Sequence, residues 1–189
     1  MMTCEALVIG GSAGSLEVLL KVLPGLQSPL PFPIIIVLHR KSGKDNILTD
    51  LLAAKTSLKV KEIEEKEPIR PSTVYIAPPN YHLLMERNRT FSLDASEKVN
   101  FSRPSLDVSF ESAADTYRDR LVCLLLSGAN GDGAVGLQKV KNKGGAVLVQ
   151  EPGSAIVSYM PAFALAQVGA DAILRPSEMA AYVNNLAKN

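Results

Sequence analysis

The sequence predicts an α/β fold: a doubly wound, mostly parallel sheet flanked by helices, with an inserted β-hairpin. Short apolar runs alternate along the chain with segments whose apolar residues recur at helical spacing, as in βα units that build a parallel sheet. The run at 121–127 is apolar throughout, which is typical of a central strand. Short segments within 73–94, punctuated by Pro, Asn and Arg, predict the hairpin.

The elements follow one another without a repeat or a linker-like composition, so we expect a single domain over residues 1–189. In the first half we expect strands at 4–9 and about 33–38, helices at 15–23 and 45–54, and an edge-like strand within 59–68. The second half is expected to open with a helix that begins at Pro104 or is capped by Ser105. We then expect three strands, at 121–127, 144–150 and 171–174. A helix is expected after each of them, one ending near 143, one at 161–167 and a closing one at 176–187.

Composition narrows the class of protein. Hydrophobic residues make up 47% of the chain, which provides a large core, and a formal net charge of +1 does not indicate a nucleic-acid partner. We find no signal peptide and no apolar run long enough to span a bilayer, so we expect a cytoplasmic protein. Cys4 and Cys123 each fall in an expected buried strand, and we interpret them as core residues.

The segment 7–20 carries the most informative motif. A strand ends, Gly10 and Gly11 are expected to make a turn, Ser12 stands at its tip, and a helix begins shortly afterwards. The start of such a helix directs N–H groups without intrahelical partners into the space beside the serine. That space suits an anion, either a bound phosphate or the oxyanion of an attacked carbonyl.

Three polar residues, Ser12, His39 and Asp132, fall just past three apolar strands. Ligands of an open α/β sheet bind outside the carboxyl ends of its strands, so these side chains converge if the strands are neighbours. A histidine can take the proton of a serine hydroxyl, and a carboxylate can hold its other ring nitrogen. The three residues then form a hydrolytic set, with oxyanion donors from the helix start and the loop 128–133.

Each of these residues also has a structural alternative. Ser12 or Asp132 could cap a helix, and His39 could bond to backbone at a strand end. The other histidine, His82, lies in the expected hairpin, where we interpret it as a structural or rim residue. A dinucleotide site is disfavoured, because the glycine turn lacks the G-x-G-x-x-G spacing and the second strand ends in His39 and Arg40, where an acidic ribose ligand is expected.

The residues at 10–14 match G-x-S-x-G, but the order Ser, His, Asp differs from that of α/β-hydrolases. That order and the local sequences resemble the catalytic domain of the chemotaxis protein-glutamate methylesterases, the CheB family, over nearly the whole chain. The matching segments are the nucleophile loop at 10–14, His39 in IVLHR, 75–78 followed by a hairpin histidine, 103–108, 126–136 with Asp132, 150–155 and 160–161.

The resemblance implies a serine hydrolase that demethylates glutamate γ-methyl esters of chemoreceptors and, as a related activity, deamidates receptor glutamines. It implies Ser12 as nucleophile, His39 as base and Asp132 as the orienting carboxylate. It also implies backbone N–H groups of Ala13 and Ala129 as the oxyanion hole, and neither a metal nor an organic cofactor.

The expected partners are methyl-accepting chemoreceptor helices, with no nucleic acid and no insertion into the membrane. Arg40, Lys41 and Arg103 are expected at the receptor-facing rim.

The chain departs from some relatives, which carry glycine at the position of Ser15 and threonine at that of Ala13. No receiver domain precedes the catalytic strand in this sequence, so we expect an esterase that is always accessible, is controlled by a separate chain, or is a part of a longer protein. A non-catalytic signalling adaptor and a hydrolase of another acyl substrate stay as alternatives.

Overall fold

The computed structural model describes residues 3–40 and 47–188. Its strands are β1 (Ala6–Gly11), β2 (Ile34–Leu38), β3 (Lys59–Glu62), β4 (Thr73–Ile76), β5 (His82–Met85), β6 (Phe91–Asp94), β7 (Leu121–Leu125), β8 (Ala146–Gln150) and β9 (Ala172–Leu174). Its helices are α1 (Ser15–Val22), α2 (Ile47–Ala53), α3 (Leu106–Tyr117), α4 (Ala134–Asn142), α5 (Tyr159–Gln167) and α6 (Pro176–Leu186). Seven strands pair in parallel in the order β3-β4-β2-β1-β7-β8-β9, and β5 and β6 form an antiparallel hairpin.

Helices cover both faces of the sheet, which is why its middle strands are buried along their whole length. Alternate residues of β1 enter two separate cores. Leu7 and Ile9 pack with residues of α1 and α6, whereas Ala6 and Val8 pack with residues of α3 and α4. The predicted α/β class, the parallel sheet and the inserted hairpin are therefore confirmed.

Two local predictions are wrong. The segment 73–80 was expected to contribute to the hairpin, but β4 joins the main sheet between β3 and β2, because both faces of this strand are buried. Gly10 and Gly11 were expected to form the turn, but both lie within β1. A side chain at Gly10 would come within 2.7 Å of Phe110, so this glycine permits the close approach of α3.

The remaining elements agree with the sequence apart from small shifts of their ends. The edge-like strand is β3, which lies at one edge of the sheet. Of the helix expected at 45–54, residues 45 and 46 lie outside the described residues, and α2 begins at Ile47. Over the described ranges, no helix combines the length and the apolar character needed to cross a membrane.

Candidate active site

Ser12 and His39 follow neighbouring strands at the carboxyl edge of the sheet. The last residues of β1 and β2, Gly11 and Leu38, are paired, and the His39 N–H donates to the Gly11 carbonyl at 3.1 Å. Ser12 is partly buried, and the His39 side chain is 12% exposed. Within the described residues, no hydrogen bond joins Ser12 Oγ to His39.

The imidazole of His39 is bound to the carboxylate of Asp132. The distance between His39 Nε2 and Asp132 Oδ2 is 2.7 Å, and the Asp132 side chain has no exposed surface. Asp132 lies in the loop after β7, which pairs with β1 on the side away from β2. Nε2 carries the proton if Asp132 is ionised, which leaves Nδ1 as the nitrogen that can accept a proton.

The carboxylate of Asp132 is enclosed by donors from the start of α3 and the loop before it. These donors are the N–H groups of Leu106 at 2.6 Å and Asp107 at 3.2 Å, the Ser105 hydroxyl at 2.8 Å and Asn100 Nδ2 at 2.9 Å. Burial opposes the charged form, but the hydrogen bonds from His39, Asn100, Leu106 and Ser105 outweigh it and lower the pKa of Asp132 to about 2. Asp132 is therefore an anion at neutral pH.

Asp107, at the start of α3, carries a second buried carboxylate, and this one binds N–H groups at the start of α4. Its Oδ1 accepts hydrogen bonds from Gly133 N–H at 3.0 Å and Gly136 N–H at 2.7 Å, at the start of α4. Burial and, less strongly, the charge of Asp132 raise the pKa of Asp107. Each helix start thus binds the carboxylate that the other segment carries.

These contacts decide between the structural alternatives for three residues. Asp132 does not cap α4, whose N-cap is Gly133; it binds the N–H groups at the start of α3. Ser105 occupies the N-cap position of α3, but its side chain makes no capping bond and its hydroxyl donates to Asp132. The interpretation of Ser12 as a cap of α1 is also wrong, because that position is held by Gly14.

Three serines fix the loop that carries Ser12. The Ser12 N–H donates to the Ser127 carbonyl at 2.9 Å and to Ser15 Oγ at 3.1 Å. Ser15 Oγ donates to the same carbonyl at 2.8 Å, and Ser127 Oγ donates to the Ala13 carbonyl at 2.6 Å. Gly14 has a φ of +84°, and a side chain there would meet Ser127 Oγ at 2.8 Å, so the turn requires glycine.

The two backbone donors expected at the oxyanion hole lie near Ser12. Ala13 is its chain neighbour. Ala129 follows Gly128, where an added Cβ would stand 3.0 Å from Ser12 Cβ. In the part of the chain that the structure describes, neither Ala13 N–H nor Ala129 N–H has a hydrogen-bond partner. Both N–H groups are therefore unpaired within the described residues, and their role in an oxyanion hole stays a prediction.

A cavity of about 600 Å³ opens beside His39. Three cationic side chains line it, those of Arg40, Lys98 and Arg103, and no acidic side chain of the described residues does. Its wall also includes Phe101, which is 98% exposed. The rim residues expected from the sequence are thus present at Arg40 and Arg103, while Lys41 lies outside the described residues.

Sequence reasoning missed three residues of this site: Asn100, Ser105 and Asp107. Ser105 and Asp107 lie in the family-matching segment at 103–108, which could have singled them out, whereas no local pattern distinguishes Asn100 from an ordinary loop residue. Among residues 3–40 and 47–188, no group of three His, Cys, Asp or Glu side chains could hold a metal ion.

Comparison with known proteins identifies the family. The family described as CheB methylesterase matches residues 7–183. The chain belongs to this CheB methylesterase family. A relative from Leptospira interrogans (serovar copenhageni) is 44% identical over 188 residues, which cover 100% of this chain and 97% of the relative. The resemblance expected from the sequence motifs is confirmed.

The CheB family is also represented in Thermotoga maritima. Its protein-glutamate methylesterase/protein-glutamine glutaminase is 34% identical over 173 residues, which cover 90% of this chain and 50% of that protein. This chain therefore spans about half the length of that relative. The crystal structure of the Thermotoga maritima CheB methylesterase catalytic domain matches with a TM-score of 0.92 and 32% identity, and the match covers 97% of this chain and 98% of the other.

Proposed function

We propose that this chain hydrolyses glutamate γ-methyl esters of chemoreceptors, with Ser12, His39 and Asp132 as its catalytic triad and residues 1–189 as one catalytic domain. The observation that carries the proposal is the 2.7 Å bond between His39 and the buried Asp132, beside a serine at the end of the neighbouring strand. The names of the relatives support the substrate.

Acylation uses the free nitrogen of the imidazole. His39 Nδ1 takes the proton of the Ser12 hydroxyl as its oxygen attacks the ester carbonyl, and Asp132 stabilises the imidazolium that forms. The N–H groups of Ala13 and Ala129 bind the oxyanion of the tetrahedral intermediate. The intermediate collapses, His39 returns the proton to the departing methoxide, and methanol leaves an acyl-enzyme on Ser12.

Deacylation repeats these steps with water. His39 takes a proton from water as the water oxygen attacks the acyl carbonyl, and it then protonates Ser12 Oγ as the glutamate carboxylate is released. A glutamine side chain follows the same route with ammonia in place of methanol. The relatives' names include this second activity, which we include in the proposal.

The cavity beside His39 supports a segment with several glutamates as the substrate. Each demethylation leaves a new carboxylate on that segment. Lys98 and Arg103 give the cavity wall a positive charge, whereas the charge of Arg40 is paired with that of Glu62. The exposed ring of Phe101 offers an apolar contact next to these charges. We therefore propose that a chemoreceptor helix lies across this cavity. The cytoplasmic location expected from the sequence stays a prediction.

Release of methanol from methyl-labelled chemoreceptor membranes tests the proposal. We expect release by the wild-type chain and by the control Ser177→Ala, whose serine is exposed on α6, but not by Ser12→Ala. Cleavage of a small activated ester without release of methanol from receptors would indicate a hydrolase of another acyl substrate. Failure of the wild-type chain in both assays would indicate a non-catalytic adaptor.

A further inference from the structure

One side-chain amide bridges the two buried carboxylates of the site. Asn100 Nδ2 donates to Asp107 Oδ2 at 2.8 Å and to Asp132 Oδ1 at 2.9 Å. Asp107 is 5% exposed and Asp132 is 1% exposed, whereas Asn100 itself lies in an exposed loop. Within the described ranges, no other side chain donates to both carboxylates.

The loop backbone has a conformation that directs this amide. Asn100 and Phe101 are consecutive non-glycine residues with φ angles of 50° and 62°, a region that such residues rarely adopt. Backbone of this kind persists where the surrounding contacts determine it, and it is concentrated at functional sites.

Two buried or partly buried side chains hold the loop from inside. His82 Nε2–H donates to the Glu97 carbonyl at 2.8 Å, and Arg103 Nη1 donates to the carbonyls of Ala95 and Ser96, each at 2.7 Å. His82 Nδ1 accepts the Ser105 N–H at 3.1 Å, so the same histidine connects the loop to the start of α3. The loop is therefore held in place against the two helix starts.

The Asn100 amide lies between the carboxylates of Asp107 and Asp132, which would otherwise repel each other. Carboxylates that face one another without a donor between them repel, and one of them tends to rotate away or take a proton. Rotation of Asp132 would break the Oδ2 contact with His39 Nε2. Asn100 opposes this rotation together with the Ser105 hydroxyl and the Asp107 N–H, because its NH₂ group binds Oδ1 and leaves Oδ2 for the histidine.

We propose that Asn100 is a positioning residue, whose amide holds Asp132 in the orientation that fixes His39. The inference rests on the proposed function, because Asn100 acts only through Asp132 and the base. It also connects the loop of Phe101, at the cavity wall, to the catalytic carboxylate.

Steady-state kinetics on a small activated ester test the inference. Asn100→Ala removes the donor, and Asn100→Asp replaces it with a third negative charge at nearly the same volume. We expect kcat to fall about tenfold or more in the first variant and further in the second, with KM changed by less than about twofold. Asn100→Ser keeps a shorter donor and should recover part of the lost kcat. If Asn100→Ala does not fold, Asn100→Ser replaces it as the test variant.

The matched control is Asn184→Ala. This asparagine also makes two hydrogen bonds between distant segments, to the Gly25 carbonyl and from the Gln27 N–H, but far from the site. We expect it to lower the melting temperature without changing kcat. The proton NMR signal of His39 Nε2–H provides a second readout, because the chain has only two histidines. It should shift in the Asn100 variants and stay unchanged in the control.

A folded Asn100→Ala variant with wild-type kcat and an unshifted Nε2–H signal would overturn the inference. An equal loss of kcat in Asn184→Ala would overturn it as well, because the effect would then be structural. Failure of the proposed function has a different signature: the ester rate of the wild type would not exceed that of His39→Ala.

Discussion

The two oxygens of Asp132 have separate functions. Oδ2 accepts from His39 and from the Leu106 N–H, whereas Oδ1 accepts from Asn100, Ser105 and the Asp107 N–H. The type and position of the three proposed catalytic residues were predictable, because each follows a strand of recognisable apolar sequence. Apart from His39, the partners of Asp132 were not predicted, because they come from the start of α3 and the loop before it. The family segment at 103–108 contains Ser105 and Asp107 but does not indicate what they contact.

Substitutions of the proposed triad should differ in severity. Ser12→Ala and His39→Ala should each lower kcat on an activated ester by several orders of magnitude, and the double variant should lose no more, because the serine and its base act as a unit. Asp132→Asn should retain a larger remainder, because the carboxylate mainly orients the base. Initial rates of the four variants provide the measurement. A near-wild-type rate for His39→Ala would contradict the assigned base.

The low pKa of Asp132 predicts a pH dependence of stability. Its folded-state pKa of about 2 lies below the ordinary value of 3.8, so the ionised group stabilises the folded chain above about pH 4. This contribution, on the order of 2 kcal/mol, is lost as the pH falls through the window from about 4 to 2.

Urea unfolding of wild type and Asp132→Asn between about pH 7 and pH 2 measures this contribution. The raised pKa of Asp107 has the opposite effect, since stability linked to its protonated form is lost as the pH rises, and this effect is smaller in Asp132→Asn, where the charge of Asp132 no longer raises that pKa. We expect the difference in unfolding free energy between the two proteins to shrink as the pH falls from about 4 to about 2. A difference that persists unchanged at the acid end would contradict the assigned pKa.

At the scale of elements, the site depends on how closely the loops after β1 and β7 approach each other. The sequence indicated that both loops are rich in glycine, but the reason for each glycine becomes visible only in the packing. Gly14 is required by its positive φ and Gly128 by the proximity of Ser12, whereas Gly10, within β1, is required by the approach of α3. A single sequence cannot distinguish a glycine required by a positive φ from one required by the close approach of a neighbouring segment, because both are the same letter in the sequence.

A methyl group at Gly128 should therefore displace the proposed nucleophile. In Gly128→Ala the new Cβ would lie 3.0 Å from Ser12 Cβ and 2.6 Å from Met160 Cε, so one of these groups must move. We expect kcat on a small ester to fall about tenfold or more while the chain stays folded, since small displacements at a site are costly for catalysis.

Gly153→Ala is the matched control for this substitution. A Cβ at Gly153 meets no other atom within 4 Å, so this variant should keep the wild-type kcat. Circular dichroism and kcat of both variants form the test. Equal activity in the two variants would show that Ser12 tolerates the contact, and that the approach of the two loops does not limit catalysis.

At the scale of the whole molecule, the fold was predictable because its alternating strands and helices are regular. The position of β4 was not, since a short strand next to a hairpin has the same local pattern whether it joins the hairpin or the main sheet. The pairing of Val74 with Ile34 and of Val74 with Val60 places it between β2 and β3. That position is set by burial on both faces, which depends on the complete sheet.

If a receptor binds across the cavity beside His39, the exposed Phe101 should contribute to the binding of receptor but not to that of a small ester. Phe101→Ala should raise the KM for methylated receptor several-fold, because truncation of an aromatic side chain that anchors an interface costs about 1 kcal/mol or more. It should leave both the kcat on a small ester and the melting temperature unchanged, since 98% of the residue is already exposed. The control is Ile173→Ala on the edge strand β9, which is 52% exposed. An equal KM for receptor in both variants would place the receptor elsewhere.

Covalent labelling with a fluorophosphonate tests the central claim most directly, because such a probe reacts with a serine only where a base activates it. After digestion, mass spectrometry should locate one adduct, on Ser12, in the wild-type chain. The rate of labelling should be greatly reduced in His39→Ala and less so in Asp132→Asn. An adduct on another serine, or labelling of Ser12 that does not depend on His39, would contradict the proposed triad.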